Sequence, residues 1–583
     1  MEIWQLEKEL VDLGLQASSS LPYNKIRRRL KQSMFKKFKE NKKLQFEIVA
    51  IILIVIFSIA IAPKSLQNDT FYTIKIGELI SENGIDNIDH FSWHENLKYT
   101  YPHWLYDFLM YLLYWVGGFD AIYISTCALS AILAICIYKV NSKLADNKII
   151  SFIITIGTMY LLKGYIAARA QLVTFILFII AIFFIEKFLE TRKKRYGAGL
   201  IAESFLIANL HVAVWPFLFV IFLPYLAEYL ICIISDTILY KKIKILSLKV
   251  RIKRLEKSQK EKVKIKEEVL KENLKEVLKS VERIKIKRKE NQENPYKIKM
   301  KKNQNAKWLI LIIVICALMG LLTPLGDTPY TYLYKTMQGT TTQNINEHLP
   351  LTLSENNPIL CTLVIILSAL IFTKAKIRLS DLFMIAGLCY LMFSSRRQSS
   401  MFVLIGSVVL NRMIIQMLEI YGICKAKDLV KVINVFTIVL TTFVILLMSK
   451  HFYKGKDKES YISEKTYPVQ ASEWILENLD VKNIKLFNEY NYGSYLLYKG
   501  IPVFVDSRAD LYAPEFNEGC SVFSDFINTS GIGTYYGDTF KKYGITHVIV
   551  YKNSKINMLI RKADSEKYKL LYSDDNFVVY EIL

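Results

Sequence analysis

Apolar runs long enough to cross a bilayer recur between residues 46 and 449, and polar connections separate them. The connections alternate between strongly basic and almost free of lysine. Because cytoplasmic connections collect Lys and Arg, this alternation indicates which end of each run faces outward. The pattern predicts a polytopic α-helical membrane protein of about eleven spans, with its N-terminus inside and its last domain outside. The predicted spans are 46–62, 120–138, 149–162, 171–185, 198–210, 213–234, 308–322, 358–373, 381–393, 401–420 and 429–449.

Changes in composition divide the chain into five predicted parts. Two are membrane parts, two are basic segments on the cytoplasmic side, and the last is a small C-terminal α/β domain on the outer side. In order, they are the basic N-terminal segment 1–45, the membrane part 46–234 with its outer loop 63–119, the basic helical insertion 235–307, the membrane part 308–449 and the extracytoplasmic α/β domain 450–583.

Shorter patterns predict local elements in the outer regions. Residues 104–116 are apolar and aromatic but contain Asp107, which is typical of an interfacial helix. In the last domain we predict a helix at 469–477. Short runs between turn signals predict strands at 484–487, 495–498, 503–506, 547–551 and 577–582. Because these runs have the length of strands rather than spans, we expect residues 451–583 to fold alone as a soluble domain.

The charge is concentrated in two segments beside predicted spans. The chain is 52% hydrophobic and has a net charge of +23. Residues 24–43 carry +9 and residues 241–307 carry +16, so the rest of the chain is close to neutral. Such segments are topology determinants and contacts for anionic lipids, which argues against nucleic acid as a partner. Within the insertion, apolar residues at helical spacing over 263–284 predict a solvated helical hairpin or a coiled coil with a partner.

Several polar residues fall on the predicted outer side, close to span ends. Asp69 could act as a general base beside a lipid substrate, or it could cap the helix that follows. Outer arginines run against the topology bias, so Arg169, Arg396 and Arg397 either reach lipid phosphates or form a pocket for a substrate phosphate. His211, between two spans, is either a hydrogen-bonded structural histidine or a base.

For two further groups of residues on the predicted outer side, the sequence leaves two interpretations of their role open. Asp86 and Asp89 could form a metal pair, although capping roles in a loop turn are more common for aspartates at this spacing. Four aromatic residues could stack on sugar faces or anchor the chain at the membrane interface. They are Trp93, Tyr101, Trp104 and Tyr106.

A set of short motifs resembles a widespread bacterial family of multi-span proteins related to the GT-C glycosyltransferases, which use polyprenyl-phosphate sugars. The resemblance covers roughly residues 46–234 and 308–583. The motifs are Asp69-Thr-Phe-Tyr-Thr-Ile-Lys-Ile-Gly-Glu78, Asp89-His-Phe-Ser92, His103-Trp-Leu105, Asn209-Leu-His211, Thr323-Pro-Leu-Gly326, Arg396-Arg397, Asn491-Tyr-Gly-Ser-Tyr-Leu496 and Phe504-Val-Asp-Ser-Arg508.

The resemblance implies a GT-C-like fold in a bacterial plasma membrane and inverting sugar transfer from a polyprenyl-phosphate donor to an extracytoplasmic acceptor. An acidic residue of the first outer loop is catalytic in GT-C enzymes, and Asp69 matches it. Arg169, Arg396 and Arg397 would then bind the substrate phosphate, supported by His211, His103 and Asp89. The cofactor stays open, with a divalent metal (Mg or Mn) as the candidate.

Two other function classes remain. A non-catalytic scaffold or partner in cell-surface polysaccharide assembly would use the outer domain as its working surface. A transporter is disfavoured, because the sequence shows neither an internal repeat nor ionisable groups in mid-span.

Overall fold

The computed structural model describes residues 42–236, 245–250, 268–275, 297–339, 341–422, 427–456 and 459–583. Residues 268–275, inside the predicted helical insertion, are helical. The rest of the 263–284 pattern and nearly all of the basic N-terminal segment lie outside the described residues, so those predictions stay as they were.

The part before residue 457 is helical, and each predicted span falls largely inside one helix. The helices are α1 (Lys42–Ile61), α2 (Asn68–Asn83), α3 (Trp104–Ala145), α4 (Lys148–Leu162), α5 (Ala170–Thr191), α6 (Lys194–Leu210), α7 (Trp215–Asp236), α8 (Ala306–Met319), α9 (Thr328–Gln338), α10 (Asn357–Phe372), α11 (Leu379–Ser394), α12 (Ser399–Ile420) and α13 (Lys427–Lys456). Two short strands, β1 (Ile298–Lys299) and β2 (Ile377–Arg378), pair in parallel.

Five helical segments of the described residues are long and apolar enough to cross a membrane. They are Leu44–Ile61, Trp104–Ala145, Ala170–Thr191, Val212–Ile234 and Arg396–Ile420. Three shorter apolar helices, α8, α10 and α11, have 10–17 residues. The chain is therefore a helical membrane protein, while the count of eleven spans stays a prediction.

One helix replaces two predicted elements. The expected interfacial helix at 104–116 and the expected span from 120 belong to a single helix, α3, of 42 residues. The helix bends at Gly117 and Gly118, and Gly118 has φ of 60°. Only glycine adopts this left-handed conformation without steric cost, so the glycine pair sets the position of the bend.

Close packing of α2 against α3 fixes the start of the outer loop. A Cβ atom at Gly77 of α2 would lie 2.1 Å from the carbonyl oxygen of Asp107 in α3. The two backbones can approach this closely only because residue 77 has no side chain. The contact places Asp69, at the start of α2, close to the start of α3.

The C-terminal part, residues 459–583, contains five helices and a four-stranded sheet. The helices are α14 (Val469–Asn478), α15 (Tyr490–Tyr498), α16 (Val522–Gly531), α17 (Tyr536–Tyr543) and α18 (Lys555–Ala563). The strands are β3 (Leu486–Phe487), β4 (His547–Tyr551), β5 (Tyr568–Ser573) and β6 (Phe577–Ile582), in the order β3-β4-β6-β5. Strand β3 runs parallel to β4, and the other pairs are antiparallel.

The α/β interpretation of this part is confirmed, with corrections to individual elements. The helix at 469–477 and the strands at 547–551 and 577–582 are present. The strand predicted at 495–498 is wrong, because these residues end helix α15. The strand at 503–506 is reduced to one bridge, between Val503 and Ser92. Short apolar runs carry no period long enough to separate helix from strand.

Two hydrophobic cores divide the molecule. The first lies among the membrane helices. The second joins the sheet to the first outer loop, because Phe71, Tyr99 and Tyr101 belong to the same buried cluster as Val548 and Val579. The C-terminal part therefore shares its core with a segment about four hundred residues earlier in the chain.

Glu203 contradicts one expectation from the sequence. It lies in α6, inside the predicted span 198–210, and is 5% exposed. Neither carboxyl oxygen has a hydrogen-bond partner in the part of the chain that the structure describes. The expectation that no ionisable group lies in mid-span is wrong.

Candidate functional site

A cavity of about 1530 Å³ lies where the ends of several membrane-part helices meet the C-terminal part. Five of the seven predicted site residues line it: Asp69, His103, Arg169, His211 and Arg397. The structure thus brings together residues from five separate places in the sequence. Arg396 and Asp89 are not among the lining residues.

Arg169 connects two carboxylates across the cavity. Its Nη2 lies 2.5 Å from Oδ2 of Asp69, and its Nη1 lies 3.2 Å from Oε1 of Glu347. The charge of Asp69 raises the pKa of Arg169 further above its usual value, although burial opposes this, so Arg169 stays protonated. Asp69 lies in the first turn of α2, where a negative charge is favourable, but the N-cap residue is Gln67.

Glu347 was missed by sequence reasoning. It lies in the short 3₁₀ helix Asn346–His348, between α9 and α10, and no motif or periodicity distinguishes it there. Burial raises its pKa, but the positive charges of Arg169 and Arg397 outweigh burial and lower it overall. The neighbouring His348 has its pKa lowered to about 4 by burial and by Arg397. The loop therefore presents one anion and one neutral imidazole at neutral pH.

The side chains of the adjacent residues Arg396 and Arg397 lie in different surroundings. Arg397 lines the cavity and is half-buried, and it has no ion pair or side-chain hydrogen bond to any residue that the structure describes. Arg396 turns toward the Glu347 loop, where its Nε donates to the carbonyl oxygen of Pro350 at 3.2 Å. Its backbone N–H donates to Leu349 at 2.8 Å. The structure thus assigns different environments to two residues that the sequence grouped together.

A pair of histidines forms another wall of the cavity. The His103 and His211 rings are 5.6 Å apart, and Nδ1 of His103 lies 3.5 Å from Oδ1 of the buried Asp107. Burial, followed by the charge of His103, lowers the pKa of His211 well below its ordinary value. His211 is therefore neutral at physiological pH, and its Nδ1 has no partner among the described residues.

Asp89 lies in a buried ion cluster instead of the cavity. Nη1 of Arg508 lies 2.7 Å from Oδ1 of Asp89, and Nη2 lies 2.6 Å from Oδ2 of Asp506. Arg508 therefore forms ion pairs with both aspartates. The cluster joins the first outer loop to the C-terminal part through Arg508. The supporting role of Asp89 at the site stays a prediction.

The suggested Asp86–Asp89 metal pair does not form. Oδ1 of Asp86 accepts from the hydroxyl of Tyr101 at 2.8 Å, and Oδ2 lies 2.6 Å from Nε2 of His90. Asp89 is directed to Arg508 instead. The backbone N–H of Ile88 donates to Oδ1 of Asp86 at 3.1 Å, and that of Ser92 donates to Oδ2 of Asp89 at 3.0 Å, which is the loop-turn role that the sequence left as the alternative.

The C-terminal part contributes acidic groups that the sequence did not indicate. Glu489 lines the cavity, and burial raises its pKa from 4.5 to about 7. Asp510 also lines it and accepts from the Tyr332 hydroxyl at 3.0 Å, while burial raises its pKa. A carboxyl group that titrates near neutral pH can exchange protons with a bound hydroxyl.

The four aromatic residues named in the sequence analysis lie in different environments. Tyr106 lines the cavity and can meet a sugar face. Trp93 instead donates to the carbonyl of Leu486, and Trp104 donates to Asn209. Tyr101 is fully buried. Stacking on a sugar therefore stays a prediction for Tyr106, whereas the other three pack inside the protein.

The donor set does not fit a divalent metal. Mg²⁺ and Mn²⁺ prefer about six oxygen ligands that include carboxylates. Nowhere in the described residues do three or more His, Cys, Asp or Glu side chains converge as a cation site. In the cavity, the carboxylates of Asp69 and Glu347 both pair with Arg169. No step of a mechanism can be assigned to a metal on these residues.

Comparison with known proteins gives the fold class. No family model matches the chain, and no curated protein matches it. The structure is similar to the crystal structure of the Archaeoglobus fulgidus oligosaccharyltransferase in its apo form, with a TM-score of 0.51 and 12% sequence identity. The alignment covers 89% of this chain and 70% of that chain. The protein therefore shares the overall fold of that structure.

Proposed function

We propose that this protein is a membrane glycosyltransferase that moves a sugar from a polyprenyl-phosphate donor to an extracytoplasmic acceptor by inverting transfer. The observation that carries the proposal is Arg397, a guanidinium without an ion-pair partner among the described residues, at the wall of a large cavity beside Arg169 and Asp69. A buried cation in such a position favours an anionic ligand. The fold supports the same conclusion.

The cavity has room for two substrates. Ligand pockets usually measure about 300–1,000 Å³, whereas this one measures about 1530 Å³. Inverting transfer needs a donor sugar phosphate and an acceptor hydroxyl in one space, with the acceptor on the face of the reacting carbon opposite the phosphate. A cavity of this size meets that requirement, and a simple lipid-contact surface would not need it.

The charged residues suit the transfer step. As the bond from sugar to phosphate breaks, negative charge grows on the leaving phosphate, and Arg397 and Arg169 would stabilise it. Oδ2 of Asp69 pairs with Arg169, which leaves Oδ1 to accept a hydrogen bond from the acceptor hydroxyl. Glu489, with its pKa near 7, is a second group that could receive the proton.

The location is part of the proposal. The protein would lie in a bacterial plasma membrane with its N-terminus in the cytoplasm and the cavity on the outer side. The basic inner segments would contact anionic lipids.

Binding of a short polyprenyl phosphate tests the phosphate role of Arg397. Purified full-length protein in detergent should bind farnesyl phosphate, and Arg397→Gln should weaken binding by about 10- to 100-fold, the range for a hydrogen bond to a charged group. Arg561→Gln removes the same charge from an exposed position outside the cavity and should leave binding unchanged. Equal affinity in all three proteins would contradict the proposal.

Sugar transfer itself is tested at Asp69. Asp69→Asn keeps the shape of the side chain and removes its charge, so expression and folding should persist while sugar transfer to the acceptor in native membranes is lost. Intact transfer in a folded Asp69→Asn protein would favour the non-catalytic scaffold in polysaccharide assembly.

A further inference from the structure

Three separate loops are fastened together around the Arg169 guanidinium. The side chain of Asn68, next to Asp69, donates to the carbonyl of Tyr490 at 2.9 Å. The hydroxyl of Thr70 donates to the carbonyl of Ala168, next to Arg169, at 3.3 Å. These bonds fix the Asp69 carboxylate relative to the backbone of Arg169.

The Glu347 loop is held in the same way. The hydroxyl of Ser395 donates to the carbonyl of Glu347 at 3.3 Å, and Arg396 donates from its backbone and its side chain to the two residues after His348. Two carboxylates from distant parts of the chain are thus placed on either side of one cation. Such convergence of carboxylates, when it occurs at a phosphate-transfer site, usually surrounds a divalent metal.

The charges at this point already balance. Asp69 and Glu347 supply two negative charges, while Arg169 and Arg397 supply two positive charges. A divalent ion between the carboxylates would have to displace the Arg169 guanidinium and would leave it beside a doubly charged cation. The like charges of Arg169 and a metal would then repel each other at short range.

We infer that the Arg169 guanidinium is the permanent cation of this site, in the position between two carboxylates that a divalent metal would otherwise take. Its role toward a leaving phosphate rests on the proposed function, but its exclusion of a metal does not. Its Nη1 donates to Glu347 and its Nη2 forms an ion pair with Asp69, and the two contacts together orient the planar group. The remaining donors can meet a phosphate, as an arginine fork does elsewhere.

Binding of Mn²⁺, followed by electron paramagnetic resonance on purified full-length protein in detergent, tests this inference without any sugar substrate. At about 0.1 mM Mn²⁺, a concentration at which weak carboxylate sites begin to fill, the wild-type protein should bind no stoichiometric ion. One Mn²⁺ per wild-type chain that is lost in Asp69→Asn would overturn the inference.

Arg169→His supplies the positive control. This change removes the cation and adds a third donor beside two carboxylates, so the variant should gain about one Mn²⁺ per chain, and Arg169→His combined with Glu347→Gln should lose it. A variant that elutes as folded protein but binds no Mn²⁺ would show that the carboxylates are not placed to share a cation, which contradicts the inference. If the protein does not bind farnesyl phosphate, the proposed function is refuted. The Mn²⁺ results do not depend on that outcome and test the inference separately.

Discussion

Replacing Arg508 with methionine should strongly destabilise the outer part of the protein. Methionine keeps much of the apolar stem but removes the guanidinium between Asp89 and Asp506. The side chains of all three residues are at most 1% exposed. The change therefore leaves two buried carboxylates without their counter-charge.

The size of the effect follows from what remains around each carboxylate. Breaking a buried ion pair by removing one partner costs about 3–5 kcal/mol. The Tyr512 hydroxyl still donates to Asp506, and the backbone N–H of Ser92 still donates to Asp89. With these bonds retained, we expect a loss of about 4 kcal/mol. For a cooperative unit of 150–250 residues this lowers the melting temperature by about 8–16 °C.

Two variants make the measurement specific. Asp89→Asn leaves Arg508 a hydrogen-bond acceptor at position 89, and Arg508 also retains its ion pair with Asp506. The variant should therefore lose only about 1–3 kcal/mol of folding stability. Lys567→Met removes an ion pair to Asp564 from a lysine that is 65% exposed, and such surface pairs contribute little to stability. Thermal unfolding in detergent, monitored by near-UV circular dichroism, ranks the three variants by stability. If Arg508→Met is no less stable than Lys567→Met, the buried cluster does not stabilise the fold.

The same reasoning changes the expectation for the isolated C-terminal part. From the sequence, residues 451–583 should fold alone. The shared core with Phe71, Tyr99 and Tyr101 indicates instead that a fragment of residues 459–583 exposes an apolar face and leaves Arg508 without Asp89. We now expect this fragment to aggregate or melt early. A soluble fragment with wild-type melting behaviour would contradict this.

Three further outcomes can be measured. Gly77→Ala should cost about 1–3 kcal/mol by overpacking against Asp107, whereas Gly157→Ala, with no atom within 4 Å, should stabilise helix α4 by about 0.5–1 kcal/mol. Burial raises the pKa of Glu489 from 4.5 to about 7. The free energy of unfolding should therefore fall as the pH rises through that range, because the folded protein resists ionisation of this carboxyl. Glu489→Gln should therefore raise the melting temperature at pH 8 but not at pH 4.5. For topology, a cysteine at position 528 should react with an impermeant reagent in intact cells, and a cysteine at position 258 should not.

The helices of the membrane part were predictable because an apolar run of span length has one common solution in a bilayer. The grouping of Asp69, Arg169, His211 and Arg397 was also predictable, because the charge alternation places all outer span ends on one side. In the C-terminal part the apolar runs are short, and residues 490–498 form a helix whose sequence reads equally well as a strand.

The contacts inside the site could not be predicted. Glu347 is one acidic residue in a polar outer loop, and only the folded chain brings it to Arg169. Arg396 and Arg397 are neighbours of the same type, yet the turn between α11 and α12 sends one toward a loop and the other into the cavity. Neither outcome depends on residue type or spacing.

The ion pair between Asp89 and Arg508 joins residues 419 positions apart. During synthesis at 5–20 residues per second, the first outer loop would therefore wait roughly 20–80 s for the segment that completes its core. Until then the aromatic face around Phe71 and Tyr99 is uncovered. A protein that lacks residues 459–583 would therefore retain an exposed apolar surface of the kind that proteases and chaperones recognise.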